Sequence, residues 1–290
     1  MISIRKISYI LCITIICLNL NSCREIEVDK SKLWASDYRI FQDTPAWELA
    51  KAVDDNNTIK IQKIIKQNHS ILDYQDSIYG KTVLMQSIYH HDYNAFEQLL
   101  KLGANINLHD NVHGASAIII ACRYNAGVKY IKKLLEYGAN PNDIEIRERD
   151  KGNSTRFTPL RGASRRGDIE SVKLLLQAGA DVNYYDEFGS CALGEAVFQE
   201  HYSIVLLLLE HNANFTNPIS ISSIGSIYLV EVLRQQLFPL NSKLYEEKMK
   251  VVDFLQKHSI YYHKTPIPEF TLQRIKELYP DTWQEYIEKY

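Results

Sequence analysis

Four stretches of this chain end in the same way: "LLKLGANIN" (99–107), "LLEYGANPN" (134–142), "LLLQAGADVN" (174–183) and "LLLEHNANF" (207–215). Their reference positions, Gly103, Gly138, Gly179 and Asn212, are spaced by 35, 41 and 33 residues. A period of this length constrains the fold more than any composition does. One such unit cannot bury its apolar face alone, so units must stack and share a continuous core.

Each tail follows a short segment carrying small residues: "TVLMQSIYHHD" (82–92), "SAIIIACRYNAG" (116–127), "TPLRGASRRGD" (158–168) and "CALGEAVFQEH" (191–201). The spacing predicts two helices per unit. Thr158 suits a helix N-cap and Pro159 the first helical turn, where its missing N–H costs nothing. Ala163 lets neighbouring helices approach. The glycines and Asn212 fall where a helix ends on a left-handed residue.

These motifs resemble the ankyrin repeat, a unit of about 33 residues with a turn and two helices. The resemblance implies an all-α solenoid of helix-turn-helix units with β-turn fingers. It covers residues 44–215 as about five repeats, the first degenerate. Residues 216–260 read as a divergent helix pair and possible sixth repeat, 261–290 as a helical cap, and 23–43 as a tether and entry segment. A charged insertion, residues 143–156, is either a solvated loop or a functional finger. The family's histidine after Thr-Pro-Leu is replaced by Met85, Ile119, Arg161 and Gly194. Its hydroxyl-and-backbone network is therefore expected to be mostly missing, and the repeats looser.

The N-terminus carries a separate signal. Arg5 and Lys6 precede an uncharged run over residues 7–20, shorter than the roughly 20 residues a spanning helix needs. A basic start and a short apolar run describe an export signal. The run closes on Leu20-Asn21-Ser22-Cys23, which resembles the lipobox of bacterial lipoproteins. That resemblance implies removal of residues 1–22 by cleavage between Ser22 and Cys23, and lipid on Cys23, with two or more chains giving stable anchoring. Arg24 in place of aspartate favours the outer membrane, periplasmic or surface-facing.

Of five cysteines, Cys12 and Cys17 fall in the signal and Cys23 takes the lipid. Cys122 and Cys191 sit two repeats apart, too far for a bridge, and are expected as buried free thiols. The net charge of −2 argues against a general nucleic-acid binder.

In ankyrin proteins, partners are held by turn tips and the exposed ends of the first helices. On this sequence those places are Tyr79, Tyr89, His90, His113, Arg123, Tyr124, Arg165, Arg166, Phe188, Phe198 and Gln199. Tyr and Arg are residues that dominate interface hot spots, and Arg123, Arg165 and Arg166 suit an acidic patch on a partner. The His/Asp clusters "HHD" (90–92) and "HDNVH" (109–113) offer His109, Asp110 and His113, but these fall on a turn tip where aspartate serves local hydrogen bonds. No metal site, catalytic motif, cofactor beyond the lipid, nucleic acid or small-molecule substrate is expected. The sequence reads as an envelope-anchored, non-enzymatic interaction module, either an immunity or inhibitor protein or a scaffold.

Overall fold

The repeats are built from short helices set by local signals. In the computed structural model, residues 28–146, 156–223 and 225–290 are described. The export signal, Cys23 and most of the charged insertion lie outside them. Residues 28–33 fall in a separate unit, with a 3-10 turn over Lys30–Lys32 capped by Asp29.

Among the described residues of the unit Trp34–Tyr290, six helix pairs follow one another. They are α1 (Trp47–Asp54) and α2 (Thr58–Gln67), α3 (Val83–Tyr89) and α4 (Tyr93–Lys101), α5 (Ala117–Arg123) and α6 (Val128–Glu136), α7 (Pro159–Arg166) and α8 (Ile169–Gln177), and α9 (Ala192–Phe198) and α10 (Tyr202–Glu210). A two-stranded antiparallel hairpin follows, β1 (Ser220–Ser222) and β2 (Gly225–Ile227), with Ser220 opposite Ile227. The sixth pair is α11 (Leu229–Gln235) and α12 (Lys243–Lys257), and α13 (Glu269–Leu278) and α14 (Trp283–Lys289) follow. First helices pack on first helices from α1 through α11; α12 packs on α10. Within residues 216–260, a hairpin is followed by a helix pair that packs on the fifth pair.

Thr82 and Thr158 cap their helices, accepting from the backbone N–H of Met85 (3.2 Å) and Arg161 (3.3 Å). In the fifth unit the Cys191 sulfur accepts from the Gly194 N–H at 3.4 Å. After the second helices the backbone turns left-handed at Gly103, Gly138, Gly179 and Asn212, with φ of 89°, 87°, 86° and 63°. Ser259, at φ 65°, repeats that turn after α12, which marks the sixth unit's register. Ala163 is buried between first helices, and a Cβ on its neighbour Gly162 would come within 3.1 Å of the Arg123 backbone nitrogen. Cys122 and Cys191 are buried free thiols.

Two expectations need correction. Residues 34–43 are not a free tether: Tyr38, Ile40 and Phe41 are buried, and the 3-10 turn Tyr38–Phe41 packs on α1. The reason is long-range. The Tyr38 hydroxyl donates to Asp92 at 3.0 Å, and Gln86 donates to the Ala35 carbonyl at 2.8 Å. Nor are the joints between repeats left bare by the missing histidine. Three successive joints carry a cation on one repeat facing a carboxylate on the next: Lys81 on Asp110 at 2.6 Å, Arg123 on Glu145, and Arg161 on Asp186 at 2.8 Å. All three carboxylates are buried.

Candidate functional site

The finger tips are organised by aspartate. Asp76 accepts from the N–H of Ile78 and Tyr79, Asp110 from Val112 and His113, and Asp186 from Phe188 and Ser190. The second oxygens of Asp110 and Asp186 take the cation from the preceding repeat. Burial pushes the Asp110 carboxyl up. The Lys81 ammonium and the N–H groups of His113 and Ala115 outweigh that and hold it below the usual range. Neighbouring fingers are tied by backbone bonds: Asn111 to the Tyr79 carbonyl at 2.7 Å, Ile146 to Gly114 at 3.0 Å and Ile221 to Phe188 at 2.7 Å.

The sequence-derived surface splits into two groups. Tyr79, His113 and Phe188 sit on the fingers, half-buried; the Tyr79 and Phe188 carbonyls take ladder bonds and the His113 N–H donates to Asp110. The others share two registers at the C-terminal ends of first helices. Tyr89, Arg123, Arg165 and Phe198 form the inner register; His90, Tyr124, Arg166 and Gln199 form the outer one. The structure brings these helix ends into a contiguous run. The Tyr89 and Tyr124 rings meet edge-on with centroids 4.8 Å apart, and Arg166 Nε donates to the Arg123 carbonyl at 2.7 Å.

Within that run Tyr89 and Arg123 of the inner register are committed to packing. The Tyr89 hydroxyl accepts from buried Lys81 at 2.8 Å, and burial pushes its phenol well above the ordinary range. Arg123 is held by Glu145. His90 is exposed, but its ring stacks on Tyr38 at 4.5 Å and its Nε2 meets the Ser36 carbonyl, so the N-terminal strap occupies it. Tyr124, Arg165, Arg166, Phe198 and Gln199 remain open to solvent.

Phe157 is the residue that the sequence reading missed. It is buried just before the Thr158 cap, with the guanidinium carbons of Arg123, Arg161 and Arg165 at 4.8, 4.6 and 5.7 Å from its ring centre. The available signal was an aromatic residue amid arginines at positions 156, 161 and 165. Above it lies a cavity of about 210 Å³ lined by Arg123, Tyr124, Phe157, Gly162, Arg165 and Arg166.

The His/Asp clusters do not assemble a metal centre. Asp110 turns to Lys81 and backbone N–H groups, while His109 Nε2 lies 3.1 Å from Asp143. Among the described residues no group of three or more His, Cys, Asp or Glu side chains could hold a metal ion. Nor is any helix among them long and apolar enough to cross a membrane.

Stacked helix pairs joined through fingers define a repeat solenoid whose open features are helix ends and turn tips. The family model for ankyrin repeats (3 copies) matches residues 49–145 and 143–218, and the chain belongs to the ankyrin-repeat family. It is 33% identical over 102 residues to the fowlpox virus ankyrin repeat protein FPV024, covering 35% of this chain and 16% of that protein. It is 34% identical over 113 residues to cyclin-dependent kinase inhibitor 2A of Monodelphis domestica, covering 39% of this chain and 60% of that one. These matches span less than two thirds of either relative. The human ASB11 ankyrin repeat domain superposes with a TM-score of 0.51 at 18% identity, over 69% of this chain and 81% of that one, a likeness of fold. Ankyrin-repeat family proteins are generally non-enzymatic interaction modules.

Proposed function

We propose that this protein binds another protein along the first-helix ends, and that a lipid on Cys23 holds it at the outer membrane, periplasmic or surface-facing. The observation that carries the binding surface is the open run of Tyr124, Arg165, Arg166, Phe198 and Gln199 at matching positions of three successive repeats. Aromatic and arginine side chains are what interface cores select. The anchor rests on the basic start, the short apolar run and Leu20-Asn21-Ser22-Cys23. Its cellular role is either inhibition of a toxin or effector or scaffolding of an envelope assembly. Protection of cells that produce the toxin separates the two.

The test is affinity purification from the native envelope, comparing wild type with a Tyr124→Ala, Arg165→Ala, Arg166→Ala triple variant. All three residues are exposed, so the variant is expected to fold. A partner retained by wild type and lost by the variant supports the reading; one captured equally by both contradicts it. Cys23→Ala is expected to release the protein from membranes, and persistence there contradicts the anchor.

A further inference from the structure

Around Phe157 the described arginines are unequally paired. Arg123 pairs with Glu145; Arg161 pairs with Asp186 at 2.8 Å and Glu195 at 2.7 Å; Arg165 lies 3.8 Å from that same Glu195. Arg166 makes no ion pair with any of these carboxylates. Its Nε donates to the Arg123 carbonyl at 2.7 Å, which fixes the plane of the guanidinium. Its two terminal nitrogens have no protein acceptor among the described residues. Among the described residues, the four guanidiniums of Arg123, Arg161, Arg165 and Arg166 thus share the three carboxylates of Glu145, Asp186 and Glu195, leaving Arg166 uncompensated at the rim of the cavity.

The surroundings give this charge a shape. The cavity, about 210 Å³, lies between the C-terminal ends of α5 and α7. Buried Phe157 lies on one side, and Tyr124, 40% exposed, lines another. Arg165, half exposed on its side chain, shares Glu195 with Arg161 and so remains under-neutralised. A planar guanidinium presents parallel N–H donors that match the two oxygens of a carboxylate. An aromatic wall favours a side chain with an apolar stem. One uncompensated charge matches a single carboxylate better than a doubly charged phosphate.

We infer that this cavity is a recognition pocket for a glutamate or aspartate side chain of the bound protein, with Arg166 as its primary anchor and Arg165 and Tyr124 as its walls. The inference rests on the interaction reading above and adds the chemistry of the partner segment.

A library of random 12-residue peptides displayed on phage, panned against the whole 290-residue chain and its Arg166→Gln variant, tests it without the natural partner. The expected result is a set of wild-type binders enriched in Glu or Asp. A synthetic peptide from that set should lose about tenfold in affinity with Arg166→Gln, the size of one charge-assisted hydrogen-bonding contact. Arg166→Lys, which keeps the charge without the fork, should lie between. Binders without acidic bias, or acidic binders indifferent to Arg166→Gln, overturn the pocket while leaving the interaction reading standing. A library that yields no binders counts against both. Equal melting temperatures for wild type and variants establish that folding is not the cause.

Discussion

Lys81 and Asp110 have side chains 1% and 0% exposed, on adjacent repeats, 2.6 Å apart. Each is satisfied only by the other and by local groups, so neither can be removed alone without stranding a buried charge. Lys81→Met should therefore cost about 3 kcal/mol in urea unfolding, the usual size of such a break; a loss near zero would mean that the joint is redundant. The Asp110 pairing also has a pH signature. Its carboxyl is held below the unfolded value near 3.9, so the stability it lends is present above that value. That stability is lost as pH falls through the folded one.

Lys248 is the opposite case. It is fully buried, donates to the Gln236 carbonyl at 3.0 Å and lies over the Tyr290 ring. Burial, with Arg234 alongside, pushes its ammonium down to about 6. The unfolded chain then binds the extra proton between about pH 6 and the ordinary lysine value near 10.4, so stability should rise with pH across that window. His263 nearby is lowered too, mainly by burial, but its window closes near 6.5. Between pH 7 and 9 His263 no longer contributes, while Lys81, lowered by burial, and the Cys122 and Cys191 thiols, raised by burial, also change the slope. The Lys248 share is therefore the part that one variant removes: Lys248→Met should flatten the slope measured by chemical denaturation in this window, and an unchanged slope would place the titration elsewhere.

Helix ends were the most legible elements, because their signals are local. The Thr158 cap, the first-turn Pro159 and the left-handed positions at Gly103, Gly138, Gly179 and Asn212 each depend on a few neighbouring atoms. At Gly179, φ is 86° and a Cβ would meet no atom within 4 Å, so a substitution there carries only backbone strain. Gly179→Ala should cost about 1 kcal/mol, and Gly179→Asn less, since Asn212 fills the same register; equal costs would mean that side-chain contacts intervene. What the sequence hid were pairings across repeats. Arg123 and Arg161 read as surface or as lost histidines because arginine is mostly exposed by default. Their partners Glu145 and Asp186 lie 22 and 25 residues away. The strap over residues 34–43 was hidden for the same reason, since Tyr38 reaches Asp92 across 54 positions.

At the scale of the whole molecule, the array gives its two sides different work. The second helices carry salt-bridged surface such as Lys133 with Glu136 and Lys173 with Glu170, pairs worth little individually. The first-helix ends carry open aromatics and arginines instead. Beyond α12, Ile275, Tyr286 and Tyr290 form a buried cluster against which Leu237 and Leu240 pack, so α13 and α14 cover apolar surface after the last helix pair. The central claim is that partners bind at the first-helix ends. Hydrogen exchange on the purified complex tests it most directly. Binding there should slow exchange at residues 123–126, 165–168 and 198–201 and leave 132–136 and 170–174 unchanged; protection confined to the second helices would rule it out.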